Sequence, residues 1–141
     1  MGKINTGRVI AGGLLAGLVM NVIDYIIHGV VLAQSWAEAV KARGIDMVST
    51  QTGPMAGWIV VDFLSGLVLV WLYASIRPRY GAGPKTALLA SLAVWFIAHL
   101  IFASYAFMGM LPVSLVVAAT IGGLISVLVA GLVGCWLYRE T

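Results

Sequence analysis

Charge is what this sequence has least of. Only 9% of its 141 residues are Asp, Glu, Lys or Arg, and 62% are hydrophobic. An ordinary soluble domain carries about 25% charged residues, and a water-facing surface cannot be assembled from so few. The mean hydropathy of +1.05 points the same way. Cysteine is nearly absent: Cys135 stands alone in an apolar run, so no disulfide framework and no Cys-based metal motif exists. It reads as a buried, inert thiol. Enzyme signatures are missing as well, with no Gly-x-Ser-x-Gly, no Walker-type loop and no paired histidines on a helix. The Gly81-Ala-Gly83 stretch is too short for a phosphate loop. A formal charge of +3 raises the question of nucleic acid. The basic residues, however, sit at the ends of apolar runs and do not interleave with aromatics, so no nucleic-acid partner is expected.

What is present is four apolar runs, each long enough for the roughly 20 residues that cross a bilayer as helix. They are about 9–33, 55–76, 86–110 and 113–138, and they define an all-α integral membrane four-helix bundle in a single domain. Val31-Leu32-Ala33 resembles a cleavage site, but Asn21, Asp24 and His28 interrupt a run too long for a signal peptide. The first run is therefore expected to be a retained span. Pro54, Pro84 and Pro112 stand at or just before helix starts, and Pro78 is expected to help end the second span.

Lys3, Arg8, Arg77, Arg79, Lys85 and Arg139 all fall on one side of this pattern. Six of the eight basic residues therefore share a side, which the positive-inside rule makes cytoplasmic. The expectation is a multi-pass protein of the bacterial inner (cytoplasmic) membrane with both termini inside. Trp71, Tyr73, Trp136 and Tyr138 form an aromatic belt at the same interface, and Leu69 is taken as lipid-facing. In the first outer loop, Ser35-x-x-Glu38 has the spacing of a capping box. Gly44 suits the stop of a short helix along the outer interface, with Trp36 and Val40 on one face. Asp46 to Gly53 reads as an irregular return.

Ser65–Tyr73 aligns without gaps to Ala130–Tyr138, with six of nine positions identical. This suggests two repeated helical hairpins related by an axis along the membrane normal. No comparable match joins the first span to the third.

Small-residue stripes mark helix contacts in lipid. Gly13 and Gly17 continue into Asn21, Asp24 and His28 along one face of the first span, and Ala119, Gly123, Ser126, Ala130 and Gly134 line the fourth. Asp24, Asp62 and His99 are ionisable groups inside three separate spans, where each costs about 2.5–3.5 kcal/mol. At 1.5 Å per residue they lie roughly 20–23 Å from the cytoplasmic ends, nearly at one level. Asn21 falls one turn below and His28 about one turn above. Two roles are open to this buried polar cluster. It either locks helix register, or it binds or relays a small polar species, protons included. No cofactor is expected. A metal at Asp24, Asp62 and His99 has the right donor types but no local motif. A bis-His haem meets a depth difference of roughly 9 Å between His28 and His99.

The run Trp71–Ala87, together with Asn21-Val-Ile-Asp24-Tyr25 and Trp136-Leu-Tyr138, resembles a family of small bacterial four-span membrane proteins. The resemblance covers most of the chain and implies a source and a topology, with no activity attached. Small multidrug transporters share four short spans and an acidic residue in the first, and serve as an analogy only. The functional expectation is a non-enzymatic protein that binds or relays through its polar cluster. The alternative is an accessory or structural subunit of a larger membrane complex, or a homo-oligomer, with the lipid bilayer as the expected partner in either case.

Overall fold

The structure, a computed structural model, describes residues 3–44 and 52–140. Among them there are helices and turns and no strand. Helix α1 spans Thr6–Asp24 and continues as a π-helical segment over Tyr25–Val31. A short α2 covers Ala33–Lys41, and α3 (Thr52–Tyr80), α4 (Pro84–Phe107) and α5 (Val113–Leu137) follow. Four of the helical stretches are long and apolar enough to cross a membrane: Thr6–Val31, Met55–Tyr80, Pro84–Phe107 and Val113–Leu137. At 1.5 Å per residue even a helix of 24 residues reaches about 36 Å, longer than a hydrocarbon core of about 30 Å.

Helix α1 packs most extensively on α3 and α5, and α4 packs chiefly on α5. Glycine sets these distances. A Cβ on Gly13 would stand 2.7 Å from the Leu67 Cα, and one on Gly17 2.6 Å from the Phe63 Cα. Gly66 answers from α3, against the backbone of Gly13 and Gly17. On the other flank, a Cβ on Gly12 would meet the Gly134 carbonyl at 2.6 Å, and one on Gly134 would meet the Gly12 carbonyl at 2.6 Å. Backbones this close gain dispersion contacts that lipid cannot match. The fourth-span stripe is buried throughout, from Ala119 through Gly123, Ser126 and Ala130 to Gly134.

Hydrogen bonds tie the chain ends to one pole. The Tyr138 hydroxyl accepts from the Asn5 backbone N–H at 3.3 Å, and the Tyr73 hydroxyl accepts from the Gly83 N–H at 3.2 Å. The two rings meet edge-on at 5.9 Å, and Arg77 lies over the Tyr138 ring. This is the tyrosine end. Lys3, Arg8, Arg77, Arg79, Lys85 and Arg139 belong to it by their positions at these helix ends. At the opposite pole the Arg43 Nη2 donates to the Gly109 carbonyl at 3.1 Å, joining the segment after α2 to the turn before α5. This is the α2 end.

Several sequence expectations are corrected here. Leu69 is not lipid-facing; it is 0% exposed in the core with Met20, Val70 and Ala130. Tyr73 and Tyr138 also turn inward, while Trp71 and Trp136 stay outside. Pro78 does not end α3, which runs to Tyr80. Only the bond to the Ala74 carbonyl is forfeited in a last turn, and Gly81 in a left-handed conformation, φ 85°, makes the stop. The Ser35–Glu38 capping box does not form, because α2 begins two residues earlier and Glu38 instead accepts from the Gln34 amide at 2.9 Å. Gly44, with φ 70°, does follow the end of α2. The return expected at Asp46–Gly53 lies mostly outside the described residues, and Thr52 already belongs to α3.

Candidate functional site

The polar site is assembled where α1 gives way to the π-helical segment. Asn21, in the last regular turn, donates to the Gly17 carbonyl at 2.9 Å and to the Ile59 carbonyl of α3 at 3.4 Å. It is thereby fixed to the α1–α3 seam. Asp24 closes the regular helix, and its carboxyl stands beside the Ser126 hydroxyl of α5. The two do not close a hydrogen bond: Asp24 Oδ1 and Ser126 Oγ are both buried without a partner from the protein.

His99 approaches the same turn of α5 from the other side. Its Nε2 lies against Gly123, one turn from Ser126, where no Cβ intervenes. Its Nδ1 is the third buried atom here without a partner. Trp95 steadies α4 by donating to the Thr120 carbonyl at 3.0 Å, with its ring 5.8 Å from the His99 ring. Three polar atoms from α1, α4 and α5 are thus left unpaired around one turn. Each would cost about 1–3 kcal/mol if nothing satisfied it.

Asp62 of α3 belongs to the wider electrostatic neighbourhood, close enough to feel the charge of Asp24. Asp24 in turn is coupled to His28, and His28 to His99. As side chains all five residues of the expected cluster, Asn21, Asp24, His28, Asp62 and His99, are half-buried and none is fully buried. The buried members are individual atoms. Ser126, expected to be a packing residue, is 0% exposed and faces Asp24, so it joins the site. The sequence held a signal for it, since it is the one hydroxyl in the fourth-span stripe.

His28 departs most from its expected place. An α-helical repeat would stack it over Asp24, but the π-helical segment turns more slowly and bonds five residues back, as from the Leu32 N–H to the Ile27 carbonyl at 2.8 Å. His28 is thereby carried to α2, where its Nδ1 accepts from the Trp36 indole at 3.1 Å. Trp36 touches Phe102, and Phe102 touches His99 edge-on at 5.9 Å. An aromatic chain therefore joins the two histidines over the α2 end of the site.

Among the described residues no three of His, Cys, Asp or Glu gather as a metal ion would require. The two histidine rings are joined through other side chains, Trp36 and Phe102. The His28 Nδ1 is engaged by Trp36, and the His99 Nε2 is pressed on Gly123. A carboxyl, a hydroxyl and an imidazole stand around one helical turn, groups that can exchange hydrogen bonds and protons. No protein-family profile, curated protein or solved structure matches this chain.

Proposed function

We propose that this chain is a four-helix bundle of the cytoplasmic membrane whose Asp24–Ser126–His99 site takes up a small polar species or protons. One observation carries the reading: Asp24 Oδ1, Ser126 Oγ and His99 Nδ1 are buried and unpaired around a single turn of α5. A mere register lock would have closed these groups on one another, because half-satisfied polar networks weaken a fold. Both termini face the cytoplasm in this reading. Its support is the gathering of six basic residues at the tyrosine end, against Lys41 and Arg43 at the other.

Two tandem hairpins fit the same molecule. Tyr73 and Tyr138, aligned in the internal repeat, each accept from the backbone N–H of a helix N-cap, Gly83 of α4 and Asn5 of α1. Aligning α1 with α4 on those caps sets Gly13 over Ser91 and Asn21 over His99. The aligned glycines Gly66 and Gly131 then abut equivalent places, Gly13 and Ser91. Asn21 and His99 would be the two halves' versions of one polar position.

The accessory-subunit alternative calls for a second stripe of small residues left unused. The outward rows are instead large: Ile10, Leu14, Leu18 and Val22 on α1, and Ile121 and Ile125 on α5. Such rows suit lipid. The test is the melting temperature of the purified full chain between about pH 5 and 8, with and without added ions, for wild type and the Asp24→Asn/Asp62→Asn double variant. A pH-dependent wild type and a flat double variant support the site. Identical flat profiles would leave the accessory subunit as the better reading.

A further inference from the structure

The polar site lies at the boundary between two unlike halves of the molecule. Toward the tyrosine end the helices share a closed core that includes Met20, Leu69, Val70, Ala87, Ala90 and Ala130. Toward the α2 end, among residues whose burial is described, α1 buries nothing beyond Met20, α3 nothing before Gly66 and α4 nothing beyond Ser91. Buried positions there belong to α5, from Leu115 to Gly123, and to Ala39 of α2. The described hydrogen bonds of that half tie α3 to α1 through Asn21 and α4 to α5 through Trp95. None of them ties α3 to α4. Asp62 and Ser65 stand half-buried one turn apart on α3 in this half.

Within the spans around the site the acidic groups are Asp24 and Asp62, and Lys41 and Arg43 stand farther out, at the α2 end. Among the described residues the ion pair present is Arg77 with Glu140, at the tyrosine end, so neither Asp24 nor Asp62 has a cationic partner within contact. The groups that face Asp24 are His28 from its own chain segment, Asp62 from α3 and Ser126 from α5, with His99 of α4 one turn along α5. Two carboxyls without a counter-ion attract positive charge, and a low-dielectric wall focuses that attraction. The smallest positive species, a proton, needs a single carboxyl and its neighbouring hydroxyl, which Asp24 and Ser126 supply.

We infer that the guest of this site is a proton, delivered by water from the α2 end only, and that the tyrosine end is closed to it. This rests on the polar-site reading above. A hydronium reaching the site gives its proton to the Asp24 carboxylate and leaves as water. The neutral carboxyl so formed can donate to the Ser126 hydroxyl, and the reverse step returns the proton to water on the same side.

The experiment uses the full chain with Cys135→Ser and one introduced cysteine, in membrane vesicles of both orientations, probed with impermeant cationic and anionic thiol reagents. Ser35→Cys marks the α2 side and Ala82→Cys the tyrosine side, both positions being exposed. Ser65→Cys and Ser126→Cys are expected to react from the Ser35 side alone, at least about tenfold faster with the cationic reagent. In parallel, melting of the wild type should respond to pH and stay unchanged when sodium, potassium, magnesium or zinc is varied at fixed pH. Reactivity from the Ala82 side, reactivity from neither side, or a saturable ion-dependent melting shift overturns the inference. Melting that ignores both pH and ions overturns the underlying site reading instead.

Discussion

A single methyl group at Gly66 should separate close packing from mere apolarity in this chain. Gly66 faces α1 at the narrowest crossing, where a Cβ would collide with the Gly13 carbonyl and stand 2.5 Å from the Gly17 nitrogen and 3.0 Å from its Cα. All three are backbone atoms, so no rotamer change can make room, and α1 must move away from α3. Overpacking of this kind costs about 1–3 kcal/mol. The helix-propensity gain of Ala over Gly returns about 1 kcal/mol, leaving a net loss of up to about 2 kcal/mol. Gly57 supplies the control in the same helix: a Cβ there meets nothing within 4 Å. Gly57→Ala should therefore be neutral or stabilising by up to about 1 kcal/mol. Thermal unfolding of both variants in one mild detergent compares them directly. Gly66→Ala melting above wild type, or Gly57→Ala melting below it, would refute the reasoning.

Other outcomes follow from the same geometry. Gly17→Leu should lower melting more than Gly123→Leu, because the first meets the backbone of Phe63 and the second meets the His99 ring, which can swing away. Leu69→Ala should cost about 2–5 kcal/mol in the same melting assay, as expected of a side chain with no exposed surface. Tyr73→Phe and Tyr138→Phe should each lose about 0.5–1.5 kcal/mol, alike in size if the two hairpins are equivalent. Ser126→Ala discriminates at the site itself: an empty, unpaired hydroxyl makes the change neutral or stabilising, whereas a bridging guest makes it destabilising in unfolding measurements.

The spans and their packing faces were legible in the sequence because membrane helices obey two simple constraints. Length against bilayer thickness located all four within a few residues, and small residues at four-residue spacing located the seams at Gly13, Gly17, Gly123 and Gly134. What was not legible traces to departures from regular geometry. The spacing that placed His28 above Asp24 assumed 3.6 residues per turn, and the π-helical segment breaks that assumption directly after Asp24. Nothing in Tyr25–Val31 announces the change. Leu69 was misplaced for a different reason: an all-apolar helix has almost no amphipathic signal, so hydrophobicity cannot tell the lipid face from the core face. The tyrosines turned inward because each hydroxyl found a helix cap. Ser126 was recognised as a packing residue but not as the neighbour of Asp24, since sequence spacing says nothing about which residues of two helices come level.

Infrared difference spectroscopy of the reconstituted full chain, stepped between high and low pH, addresses the central claim most directly. It reads the carbonyl stretch of a protonated carboxyl without any label. Uptake of a proton at the Asp24–Ser126–His99 site predicts a pH-dependent carboxyl band that vanishes in Asp24→Asn and shifts in frequency in Ser126→Ala, which removes the hydroxyl beside that carboxyl. A spectrum unchanged by Asp24→Asn would contradict the account.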